Sequence, residues 1–170
     1  TLDRSSAASD VYKRQTQLGI RLEKTFEYID TPHKFKMGVS GCPRSCVESG
    51  VKDFGVISVE NGFQLYIGGN GGTEVTKGQL LTTVETEDEV IRICGALMQY
   101  YRETGIYSER TAPWLERLGF ENVKEVLLDP ERQQALFDRV MEAKQAIQDE
   151  PWQAIVNDKA SQKIFEVERV

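Results

Sequence analysis

Cysteine and histidine are scarce in this sequence, with three of the former and one of the latter in 170 residues. An odd number of cysteines, two of them only four positions apart, does not make the disulfide framework of a secreted domain and suits a reducing cytoplasm. A single histidine leaves no histidine pair at metal-binding spacing. Basic charge is also in deficit, 21 Lys and Arg against 27 Asp and Glu, so a sequence-independent grip on nucleic acid is a poor first reading. No run approaches the roughly 20 apolar residues of a membrane helix, and the N-terminus lacks the basic-then-apolar order of a signal segment. The default is a soluble intracellular chain, long enough for one domain with its own core.

Residues 1–15 show no apolar periodicity and read either as a disordered tail or as foreign sequence. Asp10–Gln15, DVYKRQ, is the translation of GATGTGTATAAGAGACAG, which resembles a transposon end used in preparing sequencing libraries. The stretch is therefore expected to be non-native, with the native gene continuing upstream, and fold reasoning begins at Thr16. From there Leu18, Ile20 and Leu22 alternate, and Thr31-Pro32 breaks any helix, so the segment reads as a strand or an irregular lead-in.

Lys34–Ser40, KFKMGVS, alternates cleanly: Phe35, Met37 and Val39 on one face, Lys34, Lys36, Gly38 and Ser40 on the other. This predicts a half-buried strand with two ammonium groups outward. It runs into GCPRSC (Gly41–Cys46), where Pro43 suits a first helical turn and a short helix would end at Gly50. Phe54–Val59 and Phe63–Ile67, separated by Glu60-Asn61-Gly62, predict an antiparallel hairpin. Gly68–Gly72 then forms a loop, either a sharp turn or a close approach of main chain, with an anion nest as a weaker reading. Thr86 and Glu89 form a capping box ahead of an apolar stripe, Val90, Ile91, Cys94, Leu97, Met98 and Tyr101, which Gly105 ends. Pro113 opens a short helix, Val123–Leu128 a second, and Asp129-Pro130 a long third that Pro151 closes. The expected fold is α+β: a small antiparallel or mixed sheet with a cysteine-bearing strand-to-helix junction, then a helical C-terminal half.

On a helical turn Cys42 and Cys46 would share one side, suited to one inorganic centre. Two structural thiols explain the spacing equally well. An iron–sulfur cluster takes four thiolates and a structural zinc site four N or S ligands, so the chain is short of donors. Cys94 sits within an apolar stripe and reads as core, and His33 as a loop residue.

The run KFKMGVSGCPRSCVESGVKDFGVISV (Lys34–Val59) resembles the second half of the sirohaem and 4Fe-4S site of nitrite and sulfite reductases. Arg44 within GCPRSC, the stretch Arg110–Asp129 and the tail containing DEPW (Asp149–Trp152) are most similar to the large subunit of NAD(P)H-dependent nitrite reductase. The likeness covers Thr16 to about Val156, and the upstream cysteine pair of that family is absent. The resemblance implies that Cys42 and Cys46 are cluster ligands, Cys46 also bridging to the sirohaem iron. It implies that Arg44, Lys34 and Lys36 face the carboxylates of sirohaem, with Lys34 and Lys36 also serving the substrate anion and its protons; two solvated surface lysines is the plain alternative.

By the same resemblance nitrite is reduced to ammonium, with electrons from NAD(P)H through FAD in upstream domains of one polypeptide and a small subunit as a further partner. Neither nucleic acid nor membrane is expected as a partner. Sulfite is the alternative substrate, and a non-catalytic α+β module with a structural or zinc-holding CxxxC pair is the alternative of another class. The division that follows is residues 1–15 apart, 16–150 as the reductase domain and 151–170 as an extension, the piece alone being expected to be inactive.

Overall fold

The β-branched and aromatic runs at the centre of the chain pair into one sheet, and a computed structural model shows how. It describes residues 3–147 and residue 158. Strands β1 (Met37–Ser40), β2 (Phe54–Val59), β3 (Gly62–Ile67) and β6 (Gln79–Val84) form a four-stranded sheet in the order β1-β2-β3-β6. The pair β1 and β2 is parallel, in the register Gly38 to Gly55. The others are antiparallel, so the sheet is mixed. The β2–β3 hairpin turns at Glu60-Asn61, with Val59 opposite Gly62 and Gly62 at φ 134°, the positive φ that favours glycine.

One sheet face is apolar and carries the core. Val39, Phe54, Val56, Leu65 and Ile67 are buried there with Leu81 of β6, and the helices pack on that side in one hydrophobic cluster. These are α1 (Asp3–Phe26), α2 (Glu87–Thr104), α3 (Thr111–Leu118), α4 (Phe120–Leu128) and α5 (Pro130–Ala146). The capping box forms as its sequence requires: Glu89 N–H donates to Thr86 Oγ1, and the Glu89 carboxylate accepts from Thr86 N–H. Below it every residue of the predicted stripe is buried. Asp129 caps α5 through Arg132 N–H at 2.8 Å.

The other face of β1 and β2 is lined with small residues. A Cβ on Gly55 would lie 1.9 Å from Ser49 O, and one on Gly38 2.9 Å from Lys52 Cγ. The absent side chains let a 3-10 turn, Ser49–Val51, lie directly on the sheet. Parallel neighbours need a crossover, and here the crossover is the cysteine segment itself.

Four expectations change. The lead-in from Thr16 is helical: α1 runs unbroken across that residue, burying Leu18, Leu22 and Phe26 at intervals of four, while Ile20 is 46% exposed. The cysteines lie on turns between β1 and the 3-10 turn, with no α-helix opening at Pro43. Strand β6 and the small ribbon of β4 (Asn70–Gly71) and β5 (Val75–Thr76) had no counterpart in the pattern. Finally α5 ends at Ala146, short of Pro151, and Pro151 and the DEPW segment lie outside the described residues.

Candidate functional site

Two thiols on a fixed crossover are the centre of the site. Cys42 and Cys46 are both exposed, and consecutive turns set the path between and beyond them. Ser45 N–H donates to Cys42 O at 3.1 Å, and Glu48 N–H to Ser45 O at 2.8 Å. Ser45 and Glu48 adopt φ of 49° and 56° without being glycine. Such left-handed residues cost on the order of 1 kcal/mol or more each, so surrounding structure must hold them.

It does so at both ends. Upstream, Gly41 N–H donates to Gln15 Oε1 at 2.8 Å, tying the segment to α1. Downstream, buried Ser49 shares a 2.8 Å hydroxyl contact with buried Ser40 and rests on Gly55. Beside Cys42 a groove of about 970 Å³ opens between Gly41–Pro43 and the hairpin tip at Ser58–Phe63, with Glu85 at its edge.

The other predicted residues divide into two groups. Arg44 is exposed on the turn between the cysteines. Lys34 and Lys36 are also exposed but stand at the opposite end of β1, Lys36 lying five residues before Gly41, roughly 16 Å along an extended strand. Cys94 is core: it is fully buried, its Sγ donates to Met37 Sδ at 3.6 Å, and burial pushes its thiol far up. His33 accepts Lys34 N–H on Nδ1 at 2.8 Å. Among the described residues no group of three or more His, Cys, Asp or Glu is arranged to hold a metal. The glycine loop resolves as close approach, since Gly68 N–H donates to Asp53 O and Gly69 N–H to Lys52 O, and those two amides are unavailable to an anion.

A buried polar cluster had no local signal in the sequence. The Asp53 carboxylate, 0% exposed, accepts Arg110 Nη2 at 2.8 Å and Lys36 N–H at 2.8 Å, and also the Thr111 hydroxyl. Asp53 precedes a strand and Arg110 precedes a helix, 57 residues apart, so only the folded chain brings them together. Nearby, burial pushes the Tyr101 hydroxyl up to about 12, and it donates to the Glu109 carbonyl.

Comparison with known proteins decides the family. The model of the nitrite and sulphite reductase 4Fe-4S domain matches residues 4–135. The chain belongs to that family. It is 51% identical to the "Nitrite reductase [NAD(P)H]" of Bacillus subtilis over 150 residues, 88% of this chain and 18% of that protein. To the "Nitrite reductase (NADH) large subunit" of Escherichia coli it is 42% identical over 66% of this chain and 14% of that subunit. A "Sulfite reductase, assimilatory-type" from Nitratidesulfovibrio vulgaris is 31% identical over 65% of this chain. The chain thus spans less than a fifth of the first two relatives. The Mycobacterium tuberculosis NirA protein shares the fold, with a TM-score of 0.57 and 23% identity over 66% of this chain.

A nitrite and sulphite reductase 4Fe-4S domain calls for a cluster, and a cluster normally takes four thiolates. Two exposed thiols on one held turn fit as half of that set, and the buried third thiol does not fit. No helix among the described residues is long and apolar enough to cross a membrane.

Proposed function

We propose that this chain is the part of a cytoplasmic nitrite reductase that contributes two of the four cysteine ligands of a 4Fe-4S cluster, with residues 16–150 as the functional unit. Upstream parts of the same polypeptide supply the other two thiolates and carry FAD and the NAD(P)H site, and a small subunit is a further partner. The substrate is nitrite and the product ammonium. The exposed Cys42 and Cys46 on a turn whose downstream end is held by the buried Ser40 and Ser49 hydroxyls carry this reading.

When bound, the sirohaem and the cluster supply the redox chemistry. The chain's own residues bind and orient. Cys42 and Cys46 would hold the cluster as thiolates, and Cys46 would also serve the sirohaem. Arg44 offers a forked guanidinium to cofactor carboxylates. Lys34 and Lys36 would raise the positive potential that attracts a small anion and supply protons that its reduction consumes.

The complete parent polypeptide, purified with sirohaem and iron, tests this. Expected are haem and cluster absorption, nitrite-dependent oxidation of NAD(P)H and a lower turnover with sulfite. A preference for sulfite would reassign the substrate while keeping the site. A parent gene that encodes no second cysteine pair upstream of Thr16 would leave a structural or zinc-holding CxxxC module in its place.

A further inference from the structure

The geometry points to Asp53 as a positioning residue for Lys36: its buried carboxylate fixes the backbone from which that exposed ammonium projects toward the substrate anion. This rests on the proposed role of Lys36.

Lys36 lies just before β1, where an edge strand ordinarily begins to fray. Instead both of its backbone groups are held. Its N–H donates to Asp53 Oδ2 at 2.8 Å, and its carbonyl accepts Phe54 N–H at 3.1 Å. Residues 53 and 54 thus grip the lysine's main chain from the neighbouring strand. The carboxylate is itself fixed from a third element. Arg110 Nη2 reaches both oxygens, at 3.0 and 2.8 Å, and the Thr111 hydroxyl donates to Oδ1. Arg110 and Thr111 stand at the start of α3, so one side chain locks β1, β2 and α3 into register.

The ion pair is built poorly for stability alone. Arg110 Nε is buried without a hydrogen-bond partner, and a lost partner on a buried polar atom is costly. A buried ion pair gains little over apolar packing of the same volume, and its best-attested use is to fix register. What this pair registers is the lysine strand: the carboxylate spends one of its bonds on Lys36 N–H, while the Lys36 side chain stays in solvent.

A double-mutant cycle in the complete parent polypeptide tests the link, using nitrite kinetics of Lys36→Met, Asp53→Asn and the double variant. Expected is a nitrite KM raised about tenfold by K36M and several-fold by D53N, with kcat within about threefold, as for displacement of one steering charge. If Asp53 acts through Lys36, D53N adds almost nothing in the K36M background. Fold-changes that multiply overturn the positioning role while leaving Lys36 in its own. An unchanged KM in K36M overturns the reading of Lys36, and the inference with it.

Thr111→Val is the structural control, since it removes one bond to the carboxylate and none to Lys36. It should lower Tm and leave the nitrite KM unchanged; a KM raised as in D53N would make the effect mere destabilisation. Amide hydrogen exchange of this chain supplies a readout without turnover. Lys36 N–H should be protected in the wild type and in T111V and exposed in D53N, with the β2 and β3 amides still protected. Should D53N not fold, Asp53→Glu, which keeps a carboxylate facing Arg110 but moves its oxygen off Lys36 N–H, is carried through the same cycle and the same exchange measurement with the same expected results.

Discussion

Alanine at Gly55 should loosen the cysteine crossover and the fold together. The added Cβ would sit 1.9 Å from Ser49 O and 2.7 Å from Ser49 C, both backbone atoms that cannot swing aside. Restoring a 3.4 Å contact requires the Ser49 main chain to move by about 1.5 Å, from 3.4 less 1.9. Overpacking of this kind costs about 1–3 kcal/mol. The same movement parts the Ser40 and Ser49 hydroxyls, both buried and 2.8 Å apart, for about 1–3 kcal/mol more if they stay unpaired. The expected loss is about 2–6 kcal/mol in urea denaturation. Because Ser49 follows Cys46 by three residues, reaction of Cys46 with a thiol reagent should also change rate more than that of Cys42. Gly50→Ala is the control, since a Cβ there meets nothing within 4 Å. A G55A protein that unfolds with the wild type and keeps both thiol rates would refute the idea that the 3-10 turn on β2 holds the cysteines.

Other outcomes follow from the same packing. Gly19 lies inside α1 with open space around its would-be Cβ, so Gly19→Ala should stabilise by about 0.5–1 kcal/mol in the same denaturation assay. Thiol titration of the native chain should find two fast cysteines and a third, Cys94, that reacts only on unfolding. The hydrogen bond from Arg117 holds the Glu109 carboxyl below its ordinary 4.5, and that from Arg139 does the same for Glu103. Stability from a depressed carboxyl is complete above the unfolded value and is lost as pH falls through the folded one. Tm should therefore decline as pH drops below 4.5, and Glu109→Gln should flatten part of that decline.

Legibility followed the range of the interactions. The α2 capping box and the Asp129-Pro130 helix start are specified within a few residues, and each formed as read; the β2–β3 hairpin formed too, but it turns one residue earlier, at Glu60-Asn61, with Gly62 opening β3. Helix α1 was misread because Leu18, Ile20 and Leu22 fit an alternating strand over so short a window. The stripe of Leu18, Leu22 and Phe26 appears only at the longer period. Strand β6 escaped because its pairing with β3 slips between Leu65 and Tyr66. Leu65 faces Thr82 and Tyr66 faces Leu80, leaving Leu81 as the extra residue and breaking the alternation.

At the site, residue types were legible and conformation was not. GCPRSC supplied the thiols, but the left-handed Ser45 and Glu48 are imposed by what Ser49 packs against. Asp53 and Arg110 meet only through the sheet and α3. The two lysines stand at the far end of β1 from the cysteines. KFK and GCPRSC are adjacent in sequence, yet an extended strand separates them by its full length.

The central claim is that Cys42 and Cys46 are iron ligands and Cys94 is not. Electron paramagnetic resonance of the reduced parent polypeptide, compared with its Cys42→Ser, Cys46→Ser and Cys94→Ser variants, tests it most directly. The expected result is a cluster signal lost in the first two and kept in the third. A signal that survives both C42S and C46S, or that vanishes only with C94S, would contradict it.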